Sequence, residues 1–305
     1  MRLRRPRQTV LVIGLALTST MLLGACGGGA ASSQAPADGR ISVVASTNVY
    51  GSIAEAVGGD LVAVHSIISK PGADPHSYEA NAQDKLAVSK AAVGIENGGG
   101  YDDFFTQLAK GLLTQEEILN VSDLSGLDTG TDFNEHLWYS LPTMALVADD
   151  LAARFTAAKP ADAEAFTANA TAFKARLSSL EARLAAVKAA KGGTGVAITE
   201  PVPLYLLEQA GLVNKTPADF SHAIENGSDV PTTVLADTLA LMGSPSIALL
   251  AYNEQTEGPQ TIEVKTAAEK AGLPVVDFSE TLPPGLDYVQ WMDSNVTHIE
   301  KALGR

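Results

Sequence analysis

Two imidazoles and two carboxylates are the donor set that this chain could turn toward a divalent transition ion. The imidazoles are His76, in the loop ADPHSYEA, and His136, in the run Phe133-Asn134-Glu135-His136-Leu137-Trp138. Pro71 and Pro75 would stiffen the first loop, and Trp138 would keep water from the second histidine. Glu200 falls at the end of the strand-like run VAIT, and Glu280 just past PVVDF. In open α/β sheets ligands bind outside the carboxyl ends of the strands, where His76, Glu200 and Glu280 all fall. Asp277 competes with Glu280 for the fourth place, and position in the chain does not separate the two. The remaining histidines read as bland: His65 as structural inside a strand pattern, His298 as solvated in a C-terminal helix. His222 reads as a surface residue of the polar loop FSHAIENGSD, with a metal role held in reserve. Glu135 is an extra acid beside a candidate ligand, and adjacency alone is weak evidence. Free histidine titrates near pH ~6.5 and free glutamate near ~4.3, so protons should begin to compete with an ion at roughly pH 6 to 5.

Such residues need a scaffold of strands with helical crossovers. Short apolar runs at 41–45, 61–68 and 92–96, and again at 196–199, 246–251 and 274–278, read as strands. Helical stretches at 83–90, 142–158, 203–210, 263–271 and 288–303 alternate with them, which is the pattern of parallel sheets. Between the two sets lies a rod at 161–190. Its apolar residues Phe166, Ala170, Phe173, Leu177, Leu180, Leu184 and Val187 step by four and three, placing one stripe on one helical face. The expected fold class is therefore α/β: two lobes with parallel sheets, 41–160 and 191–305, joined by one long rigid helix, 161–190. Asn97-Gly98-Gly99-Gly100 is no phosphate loop, because neither a following Lys-Ser/Thr nor the G-x-G-x-x-G spacing is present.

The first 25 residues carry a basic start, a short apolar run and small residues before Cys26, the features of a secretory signal. Leu23-Gly24-Ala25-Cys26 matches a bacterial lipobox, so Cys26, the only cysteine, is the expected lipidation site. Residues 26–40 then form a Gly- and Ala-rich tether. Without the four arginines of the leader the net charge falls from −14 to −18, which argues against nucleic acid and suits a cationic ligand.

The segments PGADPHSYEA, NEHLWYSLPTMALVADDLAARF, ITEPVPLYLLEQAGL and NEQTEGPQT…VVDFSETLP occur in the order seen in a known family. The chain resembles the zinc and manganese solute-binding lipoproteins of bacterial ABC importers, over 41–303 and including the lipobox. That resemblance implies metal ligands His76, His136, Glu200 and Glu280, the last taken over Asp277 because it lies in Phe278-Ser279-Glu280-Thr281-Leu282. It implies Zn²⁺ or Mn²⁺ as the transported ligand, a permease partner, and a monomer lipid-anchored on the extracytoplasmic face of the cell membrane. Many zinc receptors have a histidine where Glu200 stands, and a His- and acid-rich loop that this chain lacks. An oxygen-richer site suits Mn²⁺ or Fe²⁺, although Zn²⁺ commonly binds more tightly in a given site, so the metal is left open. A secreted metallohydrolase is the competing class, but neither H-E-x-x-H nor G-x-S-x-G is present, and no enzyme is expected. A siderophore receptor could share the rod but would not need four metal-type ligands.

Overall fold

Each of the two sheets is built from four parallel strands, and both have the same order. The computed structural model describes residues 39–70, 72, 73, 75–130 and 133–304. The leader, Cys26 and nearly all of the tether lie outside the described residues, as do Pro71 and Asp74. In the first sheet β1 (Ile41–Thr47), β2 (Val62–Ile68), β3 (Val93–Glu96) and β4 (Ile118–Asn120) are ordered β2-β1-β3-β4. In the second, β5 (Gly195–Ile198), β6 (Val213–Asn214), β7 (Ile247–Asn253) and β8 (Val275–Phe278) are ordered β6-β5-β7-β8. Every pairing is parallel. The central strands are buried almost throughout, as expected when helices cover both faces of a sheet. Strand order reverses between β1 and β3 and again between β5 and β7, which leaves a crevice at the carboxyl end of each sheet.

The rod is a helix of 29 residues, Ala163–Lys191, about 43 Å long at 1.5 Å per residue. Pro160 opens the short turn before it, and the Gly192 N–H closes it on the Lys188 carbonyl. Its buried residues are Phe166, Ala170, Phe173, Leu177, Leu180, Leu184 and Val187, the stripe read from the sequence. They join one core cluster with Ile53 and Phe155 on one side and Ile198, Met292 and Ile299 on the other. Burying each large side chain contributes about 1.5–3 kcal/mol, so the two lobes are held by a shared core. The C-terminal helix Tyr288–Ala302 lies along the rod, where Arg183 reaches Asp293, Glu300 and Thr297. Among the described residues no helix is long and apolar enough to cross a membrane.

Several short elements carry no sequence signal. β4 and β6 have three and two residues, too few to display a period. Residues Val121–Ser125 form a helix of five residues, also too short to display one. The segment read as a polar loop around His222 is the helix Ala218–Glu225, with Phe220 and Ser221 buried.

Candidate metal centre

The first lobe brings two histidines together around a tyrosine. His136 follows Asn134 and Glu135 and enters the turn Leu137–Tyr139, whose three side chains are all buried. It is itself only 2% exposed. Its ring packs edge-on against Trp138, with centroids 5.2 Å apart. Asn134 Oδ1 accepts from the His136 backbone N–H at 3.2 Å and faces Nδ1 at 2.7 Å. An amide oxygen can only accept, so Nδ1 carries the proton and Nε2 keeps its lone pair for an ion. His76 stands at the rim, with its side chain 36% exposed and its Nε2 3.2 Å from Glu135 Oε1. Tyr101 lies between the histidines, 5.2 Å from the His76 ring and 6.1 Å from the His136 ring. The glycine run positions it. Gly98, Gly99 and Gly100 have φ of 72°, 65° and 96°, and a Cβ on Gly98 would meet Asn120 at 2.4 Å.

The second lobe supplies the carboxylates. Glu200, 4% exposed, sits two residues past β5; Glu280, 8% exposed, sits two past β8. Asn253, the last residue of β7, donates from Nδ2 to Glu200 Oε2 at 2.7 Å and to Glu280 Oε1 at 2.9 Å. Thr256 donates to Glu200, and Tyr101 of the first lobe donates to Glu280 Oε2 at 3.4 Å. The segment carrying Glu280 is fixed from the opposite lobe. Tyr139 donates to the Ser279 carbonyl at 2.8 Å, and Asn48 exchanges two 3.0 Å bonds with the Leu282 backbone. Asn134 also crosses the cleft, donating to the Pro201 carbonyl at 3.1 Å.

Burial and mutual charge decide the protonation of this cluster. Burial pushes Glu200 up to about 7; hydrogen bonds from Thr256 and Asn253 oppose the rise and the Glu280 charge adds to it. Burial, helped by His76, pulls His136 down to about 3, so its imidazole is neutral across the physiological range. Glu225 is raised to about 7, first by burial and then by Glu135 and Glu200.

The structure links the residues read from the sequence through two neutral side chains: Tyr101 touches His76, His136 and Glu280, and Asn253 joins Glu280 to Glu200. Asp277 does not join them. It is 52% exposed and faces Lys265 at 3.6 Å. His65, His222 and His298 are all exposed, so His65 has no buried structural role. Two acids come with the cluster, because ligand atoms of Glu135, His136 and Glu225 lie within 4.8 Å of one another. Glu135 was visible as a neighbour of His136; Glu225 had no signal, since its segment read as loop.

The family model described as zinc-uptake complex component A, periplasmic, matches residues 43–302. The manganese-binding lipoprotein MntA of Bacillus subtilis is 31% identical over 156 residues, 49% of this chain and 50% of MntA. The iron ABC transporter substrate-binding lipoprotein MtsA of Streptococcus pyogenes is 27% identical over 168 residues, 51% of this chain and 53% of MtsA. The chain spans about half the length of the curated relatives it matches. Among solved structures, FpvC from Pseudomonas aeruginosa in complex with Mn²⁺ is similar with a TM-score of 0.70 and 21% identity, covering 87% of this chain and 98% of that one. The periplasmic zinc-binding protein TroA from Treponema pallidum has a TM-score of 0.70 and 18% identity, covering 88% and 100%. At these identities the likeness to the solved structures is one of fold.

Proposed function

This chain belongs to the zinc-uptake complex component A family of periplasmic proteins, and we propose that it is an extracytoplasmic solute-binding lipoprotein of an ABC importer. It captures a divalent transition ion, Mn²⁺ or Zn²⁺, between its lobes and delivers it to the importer's permease. His76, His136, Glu200 and Glu280 are the ligands. In this reading residues 1–25 are a removed signal, Cys26 carries lipid, and 26–40 tether the lobes 41–160 and 191–305 with their connecting helix 161–190. The protein works as a monomer and has no catalytic role.

The observation that carries this reading is the convergence of two buried carboxylates and one buried neutral imidazole, with a second imidazole at the rim. Buried acids without a cation are unfavourable, and a divalent ion offsets both at once. Family membership supports transport over a secreted metallohydrolase or a siderophore receptor. The test is metal analysis of the purified protein together with calorimetric titration by Mn²⁺ and Zn²⁺. One tightly held ion per chain is expected, and absence of binding to either metal would contradict the proposal. Cys26→Ala tests the anchor separately and should release the protein from the membrane fraction or leave it as precursor.

A further inference from the structure

We propose that Glu225 is a fifth donor residue to the same ion and sets metal preference toward Mn²⁺; this rests on the site reading above. Glu225 is the last residue of the helix Ala218–Glu225. Its Oε1 is 4.0 Å from His136 Nδ1, and its side chain is 22% exposed. With metal–ligand bonds of about 2.0–2.2 Å, two donors on one ion lie at most about 4.4 Å apart. The ligand atoms of Glu135, His136 and Glu225 lie within 4.8 Å of one another, slightly wider than that limit, so Glu225 shares an ion with His136 only by moving its carboxylate from the protonated Nδ1 side toward Nε2. A glutamate has three rotatable bonds, enough to carry its carboxylate across the width of the ring toward Nε2.

The placement is electrostatically adverse without a cation. An acid in the last turn of a helix meets the negative end of the helix dipole, where a basic residue is favoured. Glu225 also faces the like charges of Glu135, Glu200 and Glu280, with His76 as the opposing group. Local rules broken in this way concentrate at functional positions. The two accessory acids differ in role. Glu135 is engaged with His76 Nε2 and acts as that histidine's orienting partner. Glu225 stands 4.0 Å from His136 Nδ1 and is the one we assign to the ion. Three carboxylates and two imidazoles give an oxygen-rich set of high coordination number, which suits Mn²⁺, whereas Zn²⁺ is satisfied by four donors.

The test is titration of the full chain, purified in detergent, with MnCl₂ and with ZnCl₂, for wild type and the near-isosteric Glu225→Gln. Mn²⁺ affinity should fall by about 10-fold or more and Zn²⁺ affinity by less than about 3-fold. X-ray absorption at the manganese edge should show fewer oxygen neighbours in the variant at unchanged stoichiometry. Equal losses for both metals, unchanged affinities, or an unchanged neighbour count would overturn the role of Glu225. A fall from two bound ions to one would overturn it in favour of a separate ion position. Glu280→Gln separates this from the parent reading: if it binds both metals like wild type, the four-ligand site is wrong, whatever Glu225→Gln does.

Discussion

The deep and shallow parts of the candidate metal centre are held by different kinds of contact. His136, Glu200 and Glu280 are 2%, 4% and 8% exposed, and each is braced by a neutral group: Asn134, Asn253 and Thr256, and Asn253 with Tyr101. His76 and Glu135 are 36% and 17% exposed in their side chains and are braced by each other. Neutral donors and acceptors fix geometry without competing for the ion, so the deep part is preorganised. The shallow part can rearrange while the deep part stays in place. Because the lobes share one core through the helix Ala163–Lys191, which has no proline or glycine inside it, we assign ion exchange to the His76 rim rather than to a hinge.

The largest effect should come from the deep side. His136→Ala or Glu280→Ala is expected to weaken binding by more than about 100-fold, since even losing an outer partner typically costs about 10–100-fold. Calorimetry on both variants checks this, and a loss of only a few-fold would erase the distinction between the two parts. Next comes the rim: His76→Ala should lower affinity by about 10-fold, chiefly through faster release read by stopped-flow exchange. If association slows instead and release does not change, the rim is not the exit.

Acid acts with opposite signs on the stability of the unloaded protein and on ion affinity. Glu200 is raised to about 7, so the proton it keeps in the folded state stabilises the unloaded protein below the unfolded carboxylate range. That contribution is lost as pH rises through about 7, and Glu225 adds to the same slope. Unloaded protein should therefore melt higher at pH 5 than at pH 8, while ion affinity runs the other way and tightens over that interval. Glu200→Gln should flatten part of both trends in melting and titration series. A step that the variant leaves intact would assign the proton to Glu225, also raised to about 7, since His136 is pulled down to about 3. The smallest effect belongs to the remaining histidines. His65→Ala, His222→Ala and His298→Ala should each leave affinity within about 2-fold of wild type, the range of ordinary surface substitutions. Loss of binding in His222→Ala would return the helix Ala218–Glu225 to the ligand set by a different residue.

What could be read without coordinates followed the strength of the local signal. The stripe of the rod is seven residues stepping alternately by four and three, and it survives unchanged from Phe166 to Val187. The buried strands also stand out, because parallel sheets covered on both faces leave near-continuous apolar runs. Short edge strands such as Val213–Asn214 have no such redundancy. At the candidate site, strand ends and motif order single out His76, His136, Glu200 and Glu280 as the proposed ligands. Asn253 and Tyr101 could not be singled out, since amide and phenol groups are common and only the register of β7 and the left-handed glycine run bring them in. The onset of proton competition read as pH 6 to 5 from free side chains moves up toward about 7, because burial acts on the carboxylate in the direction opposite to its action on the histidine.

The most direct measurement is a crystal structure of the Mn²⁺-loaded protein with anomalous data collected at the manganese edge. A single strong peak is expected, with His76, His136, Glu200 and Glu280 each offering an atom at about 2.0–2.3 Å. A peak lying away from Glu200 and Glu280, or two peaks sharing these residues, would contradict the account.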